Sequence, residues 1–593
     1  MRPCTPPTSP NPEKPSLRDH PTLQAYPDAY FNGPPKEPGV FDLSLCFAGS
    51  VSAGAYLAGV ADFLIEALDA WETAKQASSD PSIPRHRVRL HALAGTSGGG
   101  MTSAILGACL HRAHTPARGD TPTPPNINTN PLYVAWVKGI GIEHLLALDD
   151  LEAENAQVLS LLCSDRILEL ATDALRGASE PVRRSYVASP LHVAMTTGNL
   201  NGITYNFEML SGNHNGFSAR AHEEVLRFAL TADGSAGFPD QVRLALDQRP
   251  RAPRPQDWPS SWRLYLQSAL ATGAFPIGLL PREVQQEWAH CDPKVIAIHK
   301  GPAGIADIAV LRADRSGSGG MHCGVCVDGG VFNNEPFNVA HDYLCGILGE
   351  NPRDGTDAHR GVIMVDPLVN PDGDEFESIL STTSLITLAG GLVSRAYKNQ
   401  ARSHLRDWAM ALDESVYSRY LINPVNATAR GDEAICGSGL GAFGGFLSEA
   451  YREYDFRLGR RNCQQFLRHH FCLPIDNPLF REGGLEGAAL DRWVVDRDSK
   501  PHLPIIPLFG KPGEVEEGEP KWPSADEFER VRDTIYQLLE KRVERVFDRL
   551  IQGLDFGPRN YLALGWAAGG RHALLDAIKK AIENGLRKKN LYA

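Results

Sequence analysis

Two apolar, strand-like runs, each closed by a glycine-rich turn and followed by a helix-like stretch, constrain this chain most. LSLCFAG (43–49) is short, apolar and ends in glycine, as a strand buried on both faces does. Behind it, GAYLAGVADFLIEALDAWE repeats apolar side chains at Tyr56, Leu57, Val60, Phe63, Leu64, Ala67, Leu68 and Trp71, one continuous helical stripe. VRLHALAG (88–95) starts a second unit, followed by a glycine turn and the helix-compatible TSAILGACL. Strand, tight turn and helix in succession predict right-handed crossovers and a parallel sheet covered by helices, an α/β fold. LHVAMTTG, CGVCVDGG and GVIMVDP (361–367) read as three further strands.

At 593 residues the chain exceeds one compact core at about 150 residues per domain, and divides into three regions. Residues 1–39 hold 11 prolines and few aliphatics, predicting an extended, disordered arm before a body that starts at Phe41. Residues 40–370 carry the strand pattern. Residues 371–593 read as mainly helical, with a glycine-rich break GSGLGAFGGF (437–446) and a linker-like GKPGEVEEGEPKWP (510–523) before two terminal helices. HTPARGDTPTPPNINTNP (114–131) reads as a surface loop.

A net charge of −12 argues against broad nucleic-acid binding, which needs a cationic surface. The charge is uneven: residues 541–593 carry 11 Lys/Arg against 5 Asp/Glu. A basic end on an acidic body is suited to an anionic partner such as a membrane surface, although a solvated helix face accounts for it more simply. No apolar run approaches the roughly 20 residues of a bilayer span and the first residues lack a secretory leader, so the expectation is a cytoplasmic protein, at most peripheral at a membrane. Eleven scattered cysteines do not form a disulfide framework.

The chemistry concentrates at Gly95-Thr96-Ser97-Gly98-Gly99, a G-x-S-x-G between a predicted strand and a predicted helix. A serine on so sharp a turn has strained backbone angles, and side chains two residues to either side would strike neighbouring elements; Gly95 and Gly99 remove both clashes. The turn aims Ser97 out of the carboxyl edge of the sheet and sets it at a helix N-terminus, which favours developing negative charge. The same stretch is a poor nucleotide loop, because Met101 stands where the lysine belongs. At the top of the first strand, the Gly49, Ser50 and Val51 backbone is placed to supply oxyanion-hole N–H donors. Downstream, Asp328 ends the apolar run HCGVCV and is followed by Gly329-Gly330, where an aspartate can reach into a crevice and act as base for Ser97.

Taken in order, the glycine-containing loop at 49–54, Ser97 in GTSGG and Asp328 in VDGG resemble the patatin-like phospholipase family. SALATGAFPIGLLP (268–281) and the FNNEP after the aspartate are softer matches. The resemblance implies a patatin-like, mostly parallel sheet flanked by helices. It also implies a Ser97–Asp328 dyad that cleaves acyl esters of lipids or phospholipids through an acyl-enzyme, with no cofactor and no metal. Asp328 would then need burial to raise it into a useful range for a base. The chain departs from the family's G-G-G-x-[RK]-G loop, having Ala53 in place of the basic residue, which motivates a second reading as a catalytically weak or silent lipid- or partner-binding scaffold.

Four further patterns remain. An ordinary Ser-Asp-His hydrolase would draw its histidine from His341 or His359. Cys323, Cys326, His341 and Cys345 approximate a zinc spacing, but residues three apart on a strand point to opposite faces. Arg452, Arg457, Arg460 and Arg461 crowd one helical stretch, as a head-group site beside a flexible lid or, more simply, as ion pairs with Glu449, Glu453 and Asp455. The terminal helix lines Leu574, Leu575, Ile578, Ile582 and Leu586 along one side, with Lys579, Lys580 and Arg587 elsewhere, for a membrane or, more commonly, for packing.

Overall fold

The computed structural model describes residues 22–119, 124–153, 156–177, 181–207, 217–299, 308–315, 319–369, 410, 413, 415–485, 487–497, 499–552 and 561–592. The organising element is an 11-stranded mixed sheet. Its core is parallel: β1 (Val40–Phe47) lies between β2 (Arg87–Thr96) and a later strand, β10 (Arg360–Val365), and β2 runs beside the long β3 (Val187–Phe207). The eight residues of β1 are all buried, as the continuous apolar run requires of a strand covered on both faces. Leu43, Leu45 and Phe47 face one layer, while Cys46 faces the other with Ala92 and Ala94 of β2.

Beyond β3 the sheet departs from the parallel expectation. β4 (Phe217–Thr231) is antiparallel to β3, and β5 (Val242–Ala245) runs parallel to β4. β6 (Arg282–Glu287), β7 (Lys294–Ala297), β8 (Ile308–Ala313) and β9 (Met321–Asp328) form antiparallel pairs against the distal half of β3 and one another. β10 (Arg360–Val365) and β11 (Arg419–Ile422) complete the other edge in parallel. The length of β3 explains the switch, because its second half outruns β2 and leaves a free edge that β9 fills from the opposite direction.

Helices α1 (Asp28–Asn32), α2 (Gly54–Ala77), α3 (Gly98–Cys109), α4 (Asp165–Leu175), α5 (Ser260–Thr272), α6 (Phe337–Cys345), α7 (Glu449–His469), α8 (Asp526–Gln552) and α9 (Tyr561–Lys588) surround this sheet. α2, α3, α5 and α7 build the larger core on one face, and α6 covers the other. α2 is buried all round from Gly54 to Leu68, not along one stripe, because the sheet takes one side of it and α7 the other. The two helices touch backbone to backbone: a Cβ on Gly59 would lie 2.0 Å from the Phe456 carbonyl oxygen, and one on Gly459 2.2 Å from that of Tyr56. Within 51–77 one helix is long and apolar enough to cross a membrane, and 94% of its most apolar window is buried in the core.

Two expected boundaries are corrected. Residues 22–39 are packed, with Leu23, Tyr26 and Phe31 buried beside Leu348; aromatics that the proline count masks dock this segment, while residues 1–21 lie outside the described residues. Residue 370 does not separate an α/β domain from a helical one. β11 extends the sheet, α7 lies in the main core, and β12 (Cys472–Pro474), β13 (Val495–Arg497) and β14 (Lys500–Pro504) form a second sheet in the expected helical region. The 510–523 stretch is also packed, its Pro512 and Val515 carbonyls accepting from Gln464 Nε2 at 2.8 Å each.

Candidate active site

Ser97 occupies the turn between β2 and α3 at φ 56° and ψ −129°, a backbone conformation that a non-glycine residue holds only when its surroundings impose it. The surroundings are visible. A Cβ on Gly95 would lie 2.4 Å from the Gly99 carbonyl oxygen, and one on Gly99 2.3 Å from that of Phe47, so both flanking glycines sit where only hydrogen fits. The Ser97 N–H donates to Thr272 Oγ1 at the end of α5 (2.9 Å), fixing the turn from outside.

Asp328 ends β9, and the sheet register explains how it reaches Ser97. Thr96 pairs with Thr196 in the parallel β2–β3 ladder, while Thr197 pairs with Asp328 in the antiparallel β3–β9 ladder. The carboxyl ends of β2 and β9 therefore meet across one strand, and residues 231 apart in sequence come together: Ser97 Oγ donates to Asp328 Oδ2 at 2.5 Å. Asp328 Oδ1 accepts from the Gly330 N–H (2.7 Å), and the Asp328 N–H donates to the Ala274 carbonyl (2.9 Å). A Cβ on Gly329 would lie 2.3 Å from the Thr196 carbonyl oxygen, so a side chain there would push β9 away from β3. Both Ser97 and Asp328 are buried. Burial pushes the Asp328 carboxyl up to about 6, against the opposing pull of its hydrogen bonds from Ser97 and the Gly330 N–H.

The pair lies in a cavity whose walls are otherwise apolar: Met101 and Ile105 of α3, Leu170 of α4, Trp136, Phe275 and Phe443 among them. Phe443 comes from the glycine-rich 437–446 break, which caps the cavity, and its ring packs edge-on to Phe275 with centroids 5.7 Å apart. Ser52 Oγ and Asp455 hold that cap, Asp455 accepting from the Cys436 and Gly437 N–H groups at 2.8 Å each.

The oxyanion-loop expectation needs one correction. The Gly49 N–H donates to the Asn334 carbonyl at 2.9 Å, so it is not free for an oxyanion; a Cβ there would lie 2.1 Å from Asn334 Oδ1 and would displace that side chain. Val51, at φ 48°, lines the cavity with Ser97 and Gly98, and Ser50 is buried against Gly98. The remaining donors on this side are the Ser50, Val51 and Gly98 backbone, Gly98 being the one that the sequence reading missed although it follows the serine directly. Thr272 and Ala274 were also missed as contacts. Their segment stood out only as a motif resemblance, and nothing local in it shows that it holds both Ser97 and Asp328.

The rival sites are placed elsewhere. His341 sits on α6 against Cys345, and His359 Nδ1 against the Asp357 carbonyl; Asp328 touches Ser97 directly, with no imidazole between them. Cys323 is exposed and Cys326 buried, on opposite faces of β9, so the zinc spacing does not close. Among the described residues one group has the geometry to hold a metal ion, His341, Asp342 and Cys345, whose ligand atoms lie within 4.8 Å of one another on α6, across the sheet from the cavity. The arginine cluster is structural. Arg452 caps the Val137 and Gly445 carbonyls, Arg457 pairs with Glu453, Arg461 with Glu519, and buried Arg460 joins Asp62, Glu66 and Glu517. On α9, Leu575, Ile582 and Leu586 are buried against the body and Leu574 is exposed, so its apolar side is mostly taken.

Together these features define an α/β protein with a large, partly parallel sheet and a buried serine–aspartate pair at the floor of an apolar cavity. The chain belongs to the same family as the uncharacterized protein y4iI of Sinorhizobium fredii, with which it is 31% identical over 584 residues, covering 91% of this chain and 80% of that protein. No family model matches the chain. Among solved structures, VipD from Legionella pneumophila aligns over 94% of this chain and 90% of its own at 12% identity, with a TM-score of 0.19, too low to bear on fold or function.

Proposed function

We propose that the protein is a serine hydrolase of lipid acyl esters, of the patatin-like phospholipase kind. The observation that carries this reading is the 2.5 Å contact between Ser97 Oγ and the Asp328 carboxylate inside a cavity whose other walls are apolar. An acyl chain suits such walls, and the ester carbonyl then meets the one polar spot on the floor. Asp328 removes the Ser97 proton as the oxygen attacks the carbonyl carbon. The oxyanion that forms faces the Val51 backbone in the turn after β1 and the Gly98 backbone at the start of α3, and its collapse expels the alcohol, which takes up the proton. Water then repeats the sequence on the acyl-enzyme and releases the fatty acid. A carboxyl shifted to about 6 is a stronger base than an ordinary aspartate yet remains largely ionised at neutral pH.

Ser97→Ala and Asp328→Asn are each expected to abolish turnover of a short-chain nitrophenyl ester while still unfolding in one cooperative transition at no lower a temperature than the wild type. Retained turnover in either variant rejects the dyad. A silent lipid-binding scaffold is the second reading, favoured by the Gly49 N–H being already engaged and by Ala53 in place of a cation. Absence of ester turnover in the wild type, with lipid retained in the cavity, would favour it.

A further inference from the structure

The segment that clamps the candidate site also leads out to the surface. Between Thr272, which accepts from Ser97, and Leu279, which lines the cavity, the chain runs Thr272-Gly273-Ala274-Phe275-Pro276-Ile277-Gly278-Leu279. Ile277 lies between two cavity-wall residues, Phe275 and Leu279, yet is itself 69% exposed. Its φ is 67°, a left-handed conformation that is a true outlier for a β-branched side chain, at the position after proline where a turn with positive φ calls for glycine. The fold gains little from an isoleucine there, since the side chain is strained and faces solvent.

A second segment runs alongside. The Leu161 N–H donates to the Ile277 carbonyl and the Leu162 N–H to that of Gly278, at 2.9 Å each. Leu159 and Leu161 are 61% and 48% exposed, and neither 156–164 nor 268–281 contains a charged residue. Three exposed aliphatic side chains on an uncharged lip, continuous with an apolar cavity, are what a hydrocarbon surface would cover.

We propose that Leu159, Leu161 and Ile277 form a docking lip that inserts into the acyl region of a phospholipid surface, so that a chain passes from the bilayer into the cavity without crossing water. The occupant follows from continuity with the cavity and from the absence of exposed charge on the lip, the Arg542 guanidinium at the Leu161 carbonyl being buried and paired with Asp150. The proposal rests on the lipid-hydrolase reading for its purpose, but its test is independent of turnover.

The test is co-flotation of the full chain with phosphatidylcholine vesicles. The wild type and Ser97→Ala should float equally and stay bound when salt is raised. Leu159→Ser/Leu161→Ser/Ile277→Ser should partition roughly a hundredfold more weakly, about 2.8 kcal/mol, with unchanged turnover of the soluble nitrophenyl ester. Ile277→Gly alone should melt higher, because the strain is relieved, and bind less, a combination that a merely structural residue would not give. A wild type that stays at the bottom of the gradient overturns the lip, as does a triple variant that floats like the wild type. Release by salt also overturns it, since binding would then be ionic, through the basic C-terminal end. In each case ester turnover, read separately, still decides the hydrolase proposal.

Discussion

Asp328 holds two conflicting properties in one side chain. Burial favours its neutral form, whereas acting as a base requires the ionised one. With its folded value at about 6, kcat/KM for a neutral ester should rise with pH through that point and level off above it. Stability runs the other way. Between about 4 and about 6 the folded chain holds a proton on Asp328 that the unfolded chain has lost, so this residue removes stability as pH rises through the window, by up to about 3 kcal/mol at neutral pH. Asp328→Asn is therefore expected to be inactive yet more stable than the wild type near neutral pH, and no more stable once the pH is well below 4, as read by denaturant titration at both. Thr272→Val tests the support of the elbow. It keeps the shape but leaves the buried Ser97 N–H without its acceptor, at a cost of about 1–3 kcal/mol, and should lower kcat more than it raises KM, with Thr272→Ser restoring the rate. The elbow was legible in the sequence because its determinants are local: Gly95, Ser97 and Gly99 lie within one turn, and sterics demand that order. Thr272 was not legible, because its role depends on where α5 ends in space.

The elements show the same division between local and distant causes. β1, β2 and α2 followed from apolar periodicity, and all three form close to where the pattern places them. The direction of β9 did not follow. Nothing in MHCGVCVD distinguishes a parallel from an antiparallel neighbour, and the reversal is set by the free edge of the overlong β3. The crossing of α2 and α7 was hidden for the same reason, since Gly59 and Gly459 are 400 residues apart and meaningful only as a pair. Gly59→Ala or Gly459→Ala forces a carbon against a facing backbone carbonyl and is expected to destabilise by about 1–3 kcal/mol or more, seen as a lowered Tm with the Ser97–Asp328 chemistry unchanged in the protein that remains folded.

For the whole molecule, composition suggested three regions where packing makes one described body. Proline content and charge are properties of segments, whereas the core that joins Phe41 to Leu591 is a property of contacts between them. Arg460 shows the dependence: it is buried between Asp62 and Glu66 of α2 and Glu517 of the expected linker. Arg460→Met removes the guanidinium that Asp62, Glu66 and Glu517 share, leaving Asp62 to His114 and Asn130 and Glu66 to Arg118, and should cost up to about 3 kcal/mol, measured by denaturant unfolding. A fragment ending at residue 370 should lack a cooperative transition, because α7 and β11 are missing from its core and sheet. The central claim, that this body exists to hold Ser97 against Asp328 in a reactive state, is tested most directly by a fluorophosphonate probe with the modified residue mapped by mass spectrometry. The folded wild type should be labelled at Ser97 and Asp328→Asn should not. A folded wild type left unlabelled, or a variant labelled at the same rate, would contradict it.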